Sequence, residues 1–80
     1  MKNIDERFLY KVYVNGRSEI RAFTLRGTIN YNDKCYYIAL DLDEGDLIAF
    51  QYNEKTQEFF GATKDIEIIN EWYSQNGEYY

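Results

Sequence analysis

Phe8-Leu9-Tyr10-Lys11-Val12-Tyr13-Val14-Asn15-Gly16 is the stretch on which the fold turns. Phe8, Tyr10, Val12 and Val14 point one way, and Leu9, Lys11 and Tyr13 the other, which is the two-residue period of a strand. Asn15-Gly16 follows at once. Both central positions of a type I′ turn require positive φ, which Asn and Gly tolerate best, so the chain should fold straight back on itself as a hairpin. A second strand is expected from about Ser18 to Ile29, with Phe23, Leu25 and Ile29 on one face. Arg21 is in phase with that face and is expected near the exposed start of the strand. Gly27 is also in phase and suits a bulge or sharp bend.

The same reading continues along the chain. Asn30 to Lys34 read as a polar turn and Cys35 to Leu42 as a third strand, with Tyr36, Ile38, Leu40 and Leu42 opposite Tyr37, Ala39 and Asp41. Asp43-Glu44-Gly45-Asp46 form an acidic turn. Leu47 to Tyr52 make a fourth strand, with Ile48, Phe50 and Tyr52 in phase. Asn53 to Gln57 turn again, and Glu58 to Thr63 make a fifth. The predicted fold is all-β, or β with one short C-terminal helix: a five-stranded antiparallel meander curled into a small open barrel. Residues 65–73 fit two periods. Ile66 and Ile68 alternate as in a strand, whereas Ile66, Ile69, Trp72 and Tyr73 have helical spacing behind Asp65 as N-cap. A short helix over one open sheet face is the preferred reading.

Eighty residues make one domain, 1–80, with an ordered core of about 7–73 and a frayed tail of 74–80 whose two terminal Tyr could dock. Fifteen residues are aromatic, nine of them Tyr, and they fall on both faces of nearly every strand. An antiparallel sheet normally buries one face and wets the other. A chain this short must therefore close into a barrel, dimerise or dock on a partner. Rings also enlarge a small core, at about 150–250 Å² each. The structural reading is that they complete that core; the functional one makes Tyr10, Tyr13, Tyr31, Tyr36, Tyr37, Tyr52 and Trp72 the anchors of an interface.

The net charge of −5 argues against direct binding to duplex nucleic acid. It is unevenly spread. Residues 1–34 hold seven Lys or Arg against four acids, a balance of +3, and residues 35–80 hold two against ten, a balance of −8. Pairing across strands and solubility account for this in the simplest reading. The sharper one is an acidic surface, Asp41, Asp43, Glu44, Asp46, Glu54 and Glu58, aimed at a basic partner. An aromatic sheet could instead stack single-stranded bases, but the acidic half opposes phosphate.

Catalysis is disfavoured. The chain has no His, so it lacks a Ser-His or Cys-His pair and an imidazole acid/base. The one thiol, Cys35, reads as a small side chain packed in a sheet. Asp41 to Asp46 fail as a calcium loop: Gly45 stands fifth rather than sixth, and Tyr52 occupies the position that needs a bidentate Glu. No cofactor or metal is expected. A lone Cys and a polar start without a signal peptide suggest the cytoplasm. No stretch approaches the roughly 18 apolar residues of a membrane span.

Residues 23 to about 72 resemble the YrzB-like family, short acidic proteins of unknown function from Gram-positive bacteria. The likeness lies in Phe23, Ile29-Asn30-Tyr31-Asn32-Asp33-Lys34-Cys35-Tyr36, Asp41-Leu42-Asp43-Glu44, Ile48-Ala49-Phe50-Gln51-Tyr52-Asn53-Glu54 and Asp65-Ile66-Glu67. This chain is less acidic and adds the Asn15-Gly16 hairpin. The resemblance implies a small β sheet and no activity. The residues themselves suggest a non-enzymatic acidic protein-binding module: a phage or mobile-element inhibitor that covers a basic, nucleic-acid-binding surface of a host protein. The alternatives are a homodimer that hides the extra aromatic face, and a small-ligand barrel with a deep polar pocket.

Overall fold

The hairpin forms where the sequence places it. In the computed structural model, which describes residues 6–76, β1 (Arg7–Val14) and β2 (Arg17–Tyr31) pair antiparallel through Asn15 and Gly16, at φ 53° and 79°. Three more strands follow, β3 (Lys34–Asp41), β4 (Leu47–Asn53) and β5 (Glu58–Thr63), and then the helix α1 (Ile66–Asn76). The sheet order is β1-β2-β3-β4-β5, a meander that curls into a nearly closed barrel. The turn expected over Asn30 to Lys34 is shorter. Asn32 and Asp33 alone turn the chain, at φ 52° and 65°, so β2 reaches Tyr31. Asn and Asp are the two non-glycine residues that best bear this conformation.

One bulge divides the aromatic surplus between two cores. Leu25 pairs with Ala39 and Gly27 with Ile38, so Arg26 is an extra residue on β2. A single inserted residue reverses the facing of everything after it. Phe23 and Leu25 therefore join Tyr37, Ala39, Ile48 and Phe50 inside the barrel. Ile29 does not share their face, contrary to the two-residue alternation. It joins Ile38, Ala49, Ile68, Ile69 and Trp72 under α1 on the outside. The helix thus covers the second apolar face of β2 to β4, which resolves how one small domain buries both sides of its sheet.

The start of α1 is capped as its sequence suggests. Asp65 Oδ1 accepts the Glu67 N–H at 2.9 Å, and the Asp65 carbonyl accepts the Ile69 N–H at 3.2 Å. Ile68, Ile69 and Trp72 face the sheet. Ile66, expected among them, is exposed at the first turn, beside a groove lined by Gly45, Asp46 and Leu47. The helix runs through residues 74–76. The two terminal Tyr lie outside the described residues.

Candidate interaction surface

Nearly all the rings expected at an interface serve the protein's own interior. Tyr37 and Trp72 are buried, one in each core. Tyr10 and Tyr52 are half-buried against the inner cluster, and Tyr31 and Tyr36 against the outer one. Tyr10 meets Phe50 edge-on at 4.8 Å, and Tyr37 meets Tyr52 at 5.7 Å. Only Tyr13, of the seven proposed anchors, stands exposed. Sequence alternation assigns a side chain to a face; it does not reveal that a helix or the curl of the sheet will close over that face.

The six proposed carboxylates also separate. Asp41 lies 1 % exposed and is structural. Its Oδ1 accepts the N–H groups of Asp43 and Glu44 at 2.9 and 3.2 Å, and its Oδ2 accepts from Arg21 Nη1 at 3.2 Å. The Asp41 backbone is tied in as well: its N–H donates to Asp46 and its carbonyl accepts from Gly45, both at 2.8 Å. The turn is therefore wrapped around a carboxylate. Arg21 does not lie at an exposed strand start. It points into the mouth of the barrel with its side chain 14 % exposed, donates to Glu19 at 3.0 and 3.1 Å, and lies 3.4 Å from Glu44. Its hydrogen bonds to Glu19 and then Asp41 raise its already high pKa, against partial desolvation. Asp41→Ala should cost about 2–4 kcal/mol, since two N–H groups and the cation lose their acceptor together. Asp41→Asn, which retains an acceptor oxygen, should cost less; equal urea midpoints for both variants would contradict this role.

The remaining acids are exposed but divided. Hairpin turns of a meander alternate between the sheet's two ends. Asp43, Glu44 and Asp46 stand at the end that carries Asn15-Gly16, whereas Glu54 and Glu58 stand at the opposite end. Asp46 Oδ2 is 3.4 Å from Lys64 Nζ in an exposed pair. Cys35 lies in the sheet, near the start of β3, but is exposed rather than packed as expected.

A third carboxylate region lies on α1. The Tyr31 hydroxyl donates to Glu67 Oε1 at 2.9 Å. That hydrogen bond, then desolvation, then the charges of Glu67, Asp65 and Glu71 raise Tyr31 above the ordinary phenol value of 10.0. A proton held more tightly when folded stabilises fully below the unfolded pKa and is lost as pH rises through the folded one. Wild-type protein should therefore lose more stability than Tyr31→Phe between about pH 9 and about pH 11 in parallel denaturation series. Identical losses would show that the contact does not couple α1 to β2.

The surface of which the sequence named only Tyr13 lies on the outer side of the β1–β2 ribbon. Leu9 pairs with Ala22, Lys11 with Ile20 and Tyr13 with Ser18, so all six share one face. Leu9, Tyr13 and Ile20 are 70 %, 74 % and 59 % exposed and are diagonal neighbours across the two strands. Leu42 extends the group, its N–H donating to the Ala22 carbonyl at 3.1 Å. Lys11 is exposed within it. The signal was present in the phase of Leu9, Tyr13 and Ile20, but it gains meaning only once α1 is seen to stop short of this half of the sheet.

Neither a protein-family model, a curated protein sequence nor a solved structure matches this chain. Among the described residues, no helix is long and apolar enough to cross a membrane, and no group of three or more Cys, Asp and Glu is arranged to hold a metal ion.

Proposed function

We propose that the protein is a non-enzymatic protein-binding module whose contact surface is the outer face of the β1–β2 ribbon. The observation that carries this reading is the exposure of Leu9, Tyr13 and Ile20 as one group on a face that α1 covers elsewhere. Contiguous apolar side chains rimmed by polar ones mark interaction sites on small proteins, and Tyr is a favoured anchor. Lys11 on the same face favours an acidic partner.

The narrower proposal, a phage or mobile-element inhibitor that covers a basic host surface, draws on the exposed Asp43, Asp46, Glu54 and Glu58. It requires those acids to work as two clusters at opposite ends of the sheet. Self-association through the ribbon is the third reading, and the same exposed side chains favour it.

Affinity capture from the native host at low salt separates these readings. Beads carrying Leu9→Ser with Tyr13→Ser should recover at least about tenfold less of a partner than wild-type beads, the loss expected on removing an interface anchor. Beads carrying Asp43→Asn, Asp46→Asn, Glu54→Gln and Glu58→Gln should recover it undiminished. The reverse pattern would move the contact to the carboxylates. A stable dimer in sedimentation at micromolar concentration, dissociated by the ribbon variant, would establish the homodimer instead.

A further inference from the structure

The meander leaves a seam that it cannot close by itself. Five successive antiparallel strands leave β1 and β5 running in the same direction, so they cannot pair as the others do. Among the described residues no backbone ladder joins them. A sixth strand, antiparallel to both, would complete an even-numbered up-and-down barrel.

The free edge of β1 is arranged to receive that strand. Val14 and Arg17 flank a two-residue turn and form its hydrogen-bonded closing pair. Bonded and non-bonded pairs then alternate, and the Leu25 N–H donating to the Glu6 carbonyl at 2.9 Å extends that phase. The N–H and carbonyl groups of Arg7, Leu9, Lys11 and Tyr13 therefore face the seam.

The grooves along the seam say what would fit. The upper one, about 440 Å³, is floored by inward side chains including Tyr10, Val12 and Ile48. Its only charged lining residues are Lys11 and Lys64. Gly61, at φ 65° in the bulge where β5 leaves its ladder with β4, forms part of the far wall. The lower groove, about 490 Å³, lies between β1 and Gln57 to Phe59 and contains Glu58. Alternate residues of an incoming strand would face the apolar floor and the outer surface.

We propose that the β1–β5 seam binds an extended segment of a partner protein, one that alternates apolar residues with acids and pairs by backbone hydrogen bonds to the edge of β1. The apolar residues face Tyr10, Val12 and Ile48, and the acids lie between Lys11 and Lys64. Strand addition of this type takes affinity from the main chain and specificity from alternate side chains. The proposal rests on the protein-binding reading above; it shares Leu9, Lys11 and Tyr13 with the ribbon face but engages their backbone edge and the inner floor, so edge protection and the ribbon-face changes at Ser18 and Ile20 let the two fail separately.

The test uses the whole chain and a short, capped peptide alternating Val and Glu, with a Val and Lys peptide as control. Saturation with the Glu peptide should slow amide exchange at Leu9 and Lys11 at least about tenfold, as pairing replaces water at those groups. The Lys peptide should bind at least about tenfold more weakly, and Lys11→Glu with Lys64→Glu should reverse that preference. Lys11→Pro removes an edge donor at a position where Pro is tolerated, and should abolish binding with an unchanged far-UV spectrum. If Lys11→Pro unfolds the protein, the charge reversal decides alone. Chemical-shift changes confined to the ribbon face at Ser18 and Ile20, without edge protection, would overturn the seam and leave the ribbon reading intact. Failure of both peptides at millimolar concentration would overturn it. Concentration-dependent protection of Leu9 and Lys11 without peptide would also overturn it, assigning the edge to a second copy.

Discussion

Trp72→Ala is expected to cost about 3–5 kcal/mol, the range for removing a buried large aromatic. A domain of 80 residues has on the order of 4–12 kcal/mol in total, so this single loss approaches the whole stability. Trp72 is the largest side chain holding α1 to the sheet, packing with Ile29, Ile38, Ala49, Ile68 and Ile69. Its seat depends on Gly27. A Cβ built at Gly27 would lie 2.8 Å from Trp72 Nε1, closer than real contacts allow. Gly27 is not at positive φ, so Ala meets no backbone strain there and the clash acts alone. Gly27→Ala should therefore cost about 1–3 kcal/mol by overpacking. As the only Trp, Trp72 reports on itself. Its emission should shift to the red in Gly27→Ala as the ring is pushed outward. Unchanged emission and an unchanged urea midpoint would contradict the close approach.

Phe50→Ala should have an effect of similar size, about 3–5 kcal/mol, in the other core. Phe50 is fully buried and meets Phe8, Tyr10, Phe23 and Phe59 at ring-centroid distances of 5.4, 4.8, 5.2 and 5.7 Å. Each is an edge-on contact of the kind that adds to the energy of area burial alone. Phe8 comes from β1 and Phe59 from β5, and they stack on each other at 4.1 Å. Phe50 thus supports the one ring pair that spans the open seam. Phe50→Leu should retain most of the stability, because it refills much of the volume. The near-UV signal of the rings should fall in Phe50→Ala and largely survive in Phe50→Leu. A Phe50→Ala protein as stable as wild type would mean that this cluster is not a packed core.

The two cores differ in how legible they were. In β1, β3 and β4 the alternation assigned Phe8, Tyr10, Tyr37, Ala39, Ile48 and Phe50 to common faces, because hydrogen-bonded strands leave their side chains no other choice. In β2 the bulge at Arg26 broke the period; Gly27 marked the place, but alternation did not say that every residue beyond it, Ile29 included, would change face. Asp41 looked like a turn acid because its neighbours are acids. Its burial depends on Arg21, 20 residues away, reaching it across a strand pair. On the ribbon face Tyr13 was legible but Leu9 and Ile20 were not, for the opposite reason: nothing in their alternation differs from that of residues which α1 happens to cover.

Local sequence determined what local physics controls: five alternating strands, the Asn15-Gly16 reversal, and a helix that begins after Asp65. Tertiary structure alone decided which rings and acids remain available to another molecule. Exposure is set by the curl of the sheet and by the reach of an 11-residue helix, and both depend on contacts between segments far apart in the chain.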